Sequence, residues 1–226
     1  MATLYIVATP IGNLEDFSPR AQRILQSAGL IACADTRTSK PLLQHFGIST
    51  STVSYHQHSG AQSIARIVKA LTAGTDVAVI TDAGTPGISD PGNLLVQAVV
   101  REVPEVVVCP IPGPSALVAA LSISGLPTDR FSFFGFLPHK KGRQTMLAEM
   151  LSSKVTSVCY ESTHRITKLL EAIVAADSER QLVVCRELTK KFETIYRGTA
   201  TEILEHLTSS SSRGEFVVVV SPQSKR

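Results

Sequence analysis

An α/β fold in two domains is the class this sequence predicts, on three observations. Short apolar, β-branched runs alternate with helical spacings through the first half, the signature of a mainly parallel sheet. Small or polar residues recur where those runs end. The pattern then breaks at Gly125-Leu126-Pro127, and the second half reads as a mixed α+β or α/β arrangement. The expected domains are residues 1–125 and 126–226, and 226 residues are enough for two cores.

Leu4 to Ala8 reads as the first strand, followed by the turn Thr9-Pro10-Ile11-Gly12-Asn13. Ser18-Pro19 opens a helix with Ala21, Ile24 and Leu25 inward, and Gly29 ends it. Leu30 to Ala34 is a second strand with Asp35-Thr36-Arg37 at its end. Ser39 is expected to cap a short helix closed by Gly47. Val53 to Tyr55 is a third strand, followed by the polar segment His56 to Gly60. Ile64, Ile67, Val68 and Leu71 share a helical face. Val77 to Ile80 is a buried strand leading into DAGTPGISDPG, where Asp90-Pro91 should open the next helix, ending near Arg101. Val106 to Cys109 is a strand, Pro110 to Ser115 a stiff connection, and Ala116 to Ser122 an apolar helix that Ser115 could cap.

In the second half, Phe131 to Phe136, Val155 to Tyr160, Leu182 to Cys185 and Phe216 to Val220 read as strands. Glu193 to Gly198 is expected to pair back antiparallel. Ile166, Leu169, Leu170, Ile173 and Val174 mark one amphipathic helix, and Ile203 to Leu207 another. Ser209 to Ser212 reads as a solvated loop.

Composition narrows the function. An apolar fraction of 43% with 18% charged residues fits a soluble globular protein without a membrane span. The start, MATLYIVATPIGN, lacks the basic region of a signal peptide, so a cytoplasmic protein is expected. Cys33, Cys109, Cys159 and Cys185 form no CxxC pair and read as buried free thiols; no metal is expected. Net charge is +3, divided as −1 over residues 1–125 (7 Lys+Arg, 8 Asp+Glu) and +4 over 126–226 (15 and 11). A more basic second half suits an anionic partner.

Four loops at strand ends carry the chemistry: Thr9 to Asn13, Asp35 to Arg37, Asp82 to Gly87 and Pro112 to Ala116. Ligands of open α/β sheets bind outside the carboxyl ends of the strands. GxGxxG and GxxxxGK[ST] are both absent, which disfavours a dinucleotide or a P-loop triphosphate. A ligand with an ammonium group, hydroxyls and an adenine could instead use Asp82 and backbone groups. PGPSA lacks the spacing of a nucleophile elbow, and His56, His58 and His164 lack metal-ligand spacing.

Eight segments together resemble the tetrapyrrole methylase superfamily of S-adenosylmethionine-dependent methyltransferases. They are VATPIGNLEDFSPRA, ADTRTSKPLL, DAGTPGISDPG, IPGPSAL, FFGFLP, YESTHR, RELTKKFET and RGE. Within that superfamily the likeness is to the branch that 2′-O-methylates a cytidine in the decoding region of small-subunit rRNA. Two departures stand out: Ala34 where the pattern usually has Glu, and Thr163 where it usually has Pro.

The resemblance implies two α/β domains of the tetrapyrrole methylase type with the cofactor cleft between them, and a homodimer. It implies S-adenosylmethionine against Pro10, Asp82, Ala83, Gly84, Thr85, Pro86, Ser115 and Ala116. Phe136, Leu137, Glu161 and Glu187 would close the site. The substrate would be 16S rRNA in the small ribosomal subunit; the alternative is a tetrapyrrole small molecule. A general base must reach the ribose hydroxyl. Asp35, Asp82, Asp90, Glu161, His164, Glu187 and Lys190 are all candidates, and the sequence does not choose. Lys140, Lys141, Arg143, Arg165, Lys190, Lys191 and Arg197 are candidate phosphate contacts.

Overall fold

The structure, a computed structural model, describes residues 1–56, 60–209 and 213–223. His58 and the serines at 210–212 lie outside the described residues. The chain divides into two compact units, Met1–Ser115 and Ala116–Arg226.

The first unit is a five-stranded parallel sheet. Its strands are β1 (Thr3–Val7), β2 (Leu30–Cys33), β3 (Thr52–Ser54), β4 (Val77–Ile80) and β5 (Val107–Ile111), in the order β3-β2-β4-β1-β5. Helices α1 (Pro19–Ser27), α2 (Thr36–His45), α3 (Gly60–Thr72) and α4 (Asn93–Glu102) cover both faces. The two-residue alternation of a strand places Ala78 and Ile80 of β4 in one core with Leu25 and Leu43. Val77 and Val79 enter the opposite core with Ile67, Leu71, Leu95 and Val99. A strand buried on both faces reads as an unbroken apolar run, and β4 is VAVI.

Several starts and ends differ from expectation. Asp35, not Ser39, caps α2, accepting the Arg37 N–H at 2.8 Å; the helix therefore begins before its buried Ser39 and contains Pro41. Helix α4 begins at Asn93, so Asp90-Pro91 does not open it. Strand β5 runs on through Pro110 to Ile111, which an edge strand tolerates because an outward N–H would be unpaired anyway. Cys109 is only half-buried there, whereas Cys33, Cys159 and Cys185 are buried as expected.

The second unit begins with α5 (Ala116–Ser124). Its mixed sheet has the order β6-β7-β10-β8-β9: β6 (Phe131–Phe136), β7 (Thr156–Ser162), β8 (Gln181–Arg186), β9 (Thr194–Thr199) and β10 (Glu215–Val220). Only β6 and β7 pair parallel. Helices α6 (Arg143–Ser152), α7 (Ile166–Ala176) and α8 (Ala200–Ser209) pack on the face carrying Cys159, Val184, Phe216 and Val218. The other face, with Val158, Val183, Val217 and Val219, packs against Leu117, Ala120 and Leu121 of α5. That contact places the division at 115/116, ten residues before the Gly125-Leu126-Pro127 break: α5 serves the second core.

Candidate active site

Three loops of the first unit are laced together at the carboxyl ends of β1, β4 and β5. Thr9 and Gly84 exchange backbone hydrogen bonds, Thr9 N–H to the Gly84 carbonyl at 2.9 Å and Gly84 N–H to the Thr9 carbonyl at 3.1 Å. The buried Thr9 hydroxyl donates to the Thr81 carbonyl, and the Thr85 hydroxyl donates to the Pro114 carbonyl. Gly84 has φ +79°, and a Cβ there would meet Ile11 Cγ2 at 3.4 Å and the Pro114 carbonyl at 3.8 Å. Gly113 lies so close to Ala8 that an added Cβ would stand 3.0 Å from the Ala8 methyl. Only glycine lets these backbones approach and turn this way.

The lacing gathers Pro10, Asp82, Ala83, Gly84, Thr85, Pro86 and Ser115 into one strand-end surface. Asp82 and Ala83 are exposed on it, while Gly84 and Pro86 are buried. The result is a floor of main chain and small side chains with an accessible carboxylate.

The nearby carboxylates have different fates. Asp35 accepts both the backbone and the guanidinium of Arg37, which hold it down to about 2. Burial, and then the charge of Asp35, push the Asp82 carboxyl up. Asp90 is half-buried and pushed up to about 6, by burial first and then by the charge of Asp82. Two other groups meet the first N–H groups of α4: Tyr55 Oη accepts from Leu95 N–H at 3.1 Å, and Asn93 Oδ1 from Leu94 N–H at 2.8 Å. Asp90 is thereby left with no hydrogen bond or ion pair among the described residues. It lines a recess of about 380 Å³ with Tyr55, Ser89 and Asn93. The Tyr55 hydroxyl had no warning in the sequence, where Tyr55 reads only as the apolar end of a strand.

In the second unit the motifs converge differently. Glu161 is buried at the end of β7 and holds two guanidiniums: Arg143 at 3.3 Å and Arg165 at 3.0 Å. Its Oε1 also accepts the Ser162 N–H. Arg165 in turn donates to the Leu137 carbonyl. Glu161 was expected to meet the cofactor. Both its oxygens have partners within the protein, and through Arg165 they connect to the loop after β6. Leu137 is itself buried, whereas Phe136 is exposed, with its ring edge-on to Tyr160 at 5.5 Å. Ala116 is half-buried, one residue before Leu117, whose N–H donates to the Tyr160 hydroxyl.

YESTHR, RELTKK and RGE meet at one end of the three central strands, β7, β10 and β8. The Thr163 hydroxyl bonds both the N–H and the carbonyl of Gly214, each at 2.7 Å. Glu187 and Thr189 hold positive φ values, +53° and +65°. The turn is pinned by Lys190, which reaches Glu187 at 3.0 Å and Glu215 at 2.8 Å. Burial pushes the Glu187 carboxyl up, but the hydrogen bonds from Glu215 N–H and Lys190 outweigh it and leave Glu187 below its usual range. Of the expected phosphate contacts, Arg143, Arg165 and Lys190 are therefore engaged with carboxylates, and Arg197 donates to the Ile123 carbonyl. Lys140, Lys141 and Lys191 stand exposed. No cluster of metal-ligating side chains occurs among the described residues, and no helix there is long and apolar enough to cross a membrane.

Residues 3–204 match the family model described as Tetrapyrrole (Corrin/Porphyrin) Methylases. The chain belongs to the tetrapyrrole methylase family. Among its relatives in the family is the ribosomal RNA small subunit methyltransferase I of Halalkalibacterium halodurans. It is 46% identical over 219 residues, 96% of this chain and 75% of that protein. The protein of the same name from Escherichia coli O157:H7 is 46% identical over 221 residues, 96% of this chain and 77% of its own. A solved tetrapyrrole methylase, uroporphyrin-III C-methyl transferase from Thermus thermophilus complexed with S-adenyl homocysteine, superposes with a TM-score of 0.66. It is 17% identical, covers 97% of each chain, and speaks to the fold.

The strand-end floor of the first unit is compatible in its chemistry with S-adenosylmethionine. Gly84 and Gly113 keep the floor free of side chains, and Asp82 offers an exposed carboxylate to an ammonium group.

Proposed function

We propose that this protein methylates the 2′-hydroxyl of a cytidine in small-subunit rRNA, using S-adenosylmethionine. The observation that carries the reading is 46% identity, over 96% of the chain, to proteins named ribosomal RNA small subunit methyltransferase I. The tetrapyrrole alternative draws only on the family name and on structures below 20% identity, which speak to architecture.

Bound S-adenosylmethionine supplies a methyl group on a positively charged sulfur, an electrophile that needs no further activation. The chain's task is alignment and proton removal. Pro10, Asp82 to Pro86 and Ser115 hold the donor through main-chain groups and the Asp82 carboxylate. In the second unit, Glu161 holds Leu137 in place through Arg165. Lys140, Lys141 and Lys191 meet RNA phosphates. The 2′-hydroxyl as acceptor makes the reaction selective for RNA. The protein acts as a cytoplasmic homodimer, which a monomeric mass by light scattering would overturn.

The test is transfer of a labelled methyl group to small subunits that lack the modification. The expected product is 2′-O-methylcytidine after nuclease digestion. Absence of label, with cofactor binding intact, overturns the rRNA reading.

A further inference from the structure

We propose that Asp90 is the general base that removes the 2′-hydroxyl proton, acting from the recess beneath the start of α4. This rests on the methyltransferase reading and assigns a role within it.

Most other candidates are engaged elsewhere. Asp35 caps α2 and pairs with Arg37. Glu161 is enclosed by Arg143 and Arg165. Glu187 accepts from Lys190 and from Glu215 N–H, and Lys190 is held as a cation between two carboxylates. His164 is exposed, outside the recess. Asp82 is exposed on the floor and suited to an ammonium group.

Asp90 differs in three ways. First, it lies in the same loop as Asp82-Ala83-Gly84-Thr85-Pro86, four positions beyond Pro86, and sits in an unusual turn. Ser89 has φ +59°, Gly87 N–H donates to the Pro91 carbonyl, and Gly92 passes so close to Gly87 that a Cβ would meet its nitrogen at 2.9 Å. Strained backbone of this kind gathers at functional sites. Second, the recess it lines is about 380 Å³, enough for a ribose. Third, Tyr55 and Asn93 cap the helix in its place, so its lone pairs are free. The titratable groups facing it are Asp82, from the loop after β4, and Tyr55, at the end of β3. A carboxyl raised to about 6 is a far better proton acceptor than an ordinary aspartate, yet is ionised at neutral pH.

The step balances. As the O2′–methyl bond forms and the sulfur–methyl bond breaks, the bonding pair stays on sulfur. The hydroxyl proton passes to the Asp90 carboxylate, which returns it to water.

The experiment compares wild type with Asp90→Asn and Asp90→Glu on small subunits lacking the modification, with cofactor affinity measured by calorimetry. Asp90→Asn should lose roughly 100-fold or more in kcat at unchanged cofactor affinity, and Asp90→Glu should recover part of it. Wild-type kcat/KM should fall on the acid side with a midpoint near 6. Carbon NMR titration of the wild-type Asp90 carboxyl without substrate should give the same midpoint, whether or not a variant folds. An Asp90→Asn kcat within threefold of wild type overturns the assignment. So does a variant that loses cofactor affinity as much as activity, or an NMR midpoint at an ordinary aspartate value. A wild type that binds cofactor but transfers nothing overturns the methyltransferase reading itself, and this assignment with it.

Discussion

In the first unit, Asp82 and Asp90 stand in the loop that follows a strand, with no ion pair among the described residues. In the second, Glu161 and Glu187 stand at strand ends, but each is held by Arg or Lys. Burial raises the first pair. In the second pair, positive partners and N–H groups hold Glu187 low and fill both oxygens of Glu161. A carboxylate without a partner costs stability and keeps its proton affinity; a paired one fixes neighbouring loops and gives up reactivity. The same side-chain chemistry thus serves reaction in one unit and architecture in the other.

The sharpest way to break this contrast is Glu161→Ala. It leaves Arg143 and Arg165 largely buried without their counter-charge, and stability should drop by about 3–5 kcal/mol in denaturant unfolding. A loss below about 1 kcal/mol would show that the pairing is incidental. Gly84→Val comes next: a branched residue at φ +79° should cost about 1–3 kcal/mol. Calorimetry should also show cofactor affinity at least about tenfold weaker, because side-chain bulk would occupy the floor.

Asp90→Asn should move stability the other way. The folded carboxyl sits at about 6 against an unfolded value of 3.8, so the folded state binds the extra proton between those limits. Wild-type stability therefore falls as pH rises from about 4 to 6, and the penalty is complete above 6. With solvent screening taken into account, the variant should be about 1 kcal/mol more stable at pH 7.5 and no more stable at pH 3.5. Equal stability at both pH values would place Asp90 in water. The smallest expected effect is Lys190→Met, about 0.5 kcal/mol at pH 7 for a partly exposed pair. Its wild-type advantage should persist above 4.5 and vanish as pH falls through the depressed folded value of Glu187.

Much of this arrangement was legible in the chain. The unbroken apolar run VAVI marks a strand buried on both sides, and the spacing of Ile166, Leu169, Leu170 and Ile173 marks one inward helix face. The loops after β1, β4 and β5 stood out by their small residues, and they do meet. What stayed hidden depends on contacts between distant residues. Helix α5 is apolar nearly all round, so nothing local says that it packs against the second sheet. Asp90-Pro91 looks like a helix opening until the close approach of Gly87 and Gly92 closes the turn first. Arg143 and Glu161 are 18 positions apart, and no spacing rule pairs them.

Pro110 has a further effect on how the protein behaves in a crowded solution. In β5 the amides of alternate residues face β1, with Val107 N–H and the Ile111 carbonyl bonded there, so Pro110 falls on the outward rim. Its ring deletes a donor where a foreign strand would have to latch on, and the opposite rim, β3, is only three residues long. Neither border of the parallel sheet is a good template for fibre growth, so a two-sided apolar sheet can exist at high concentration without recruiting its neighbours.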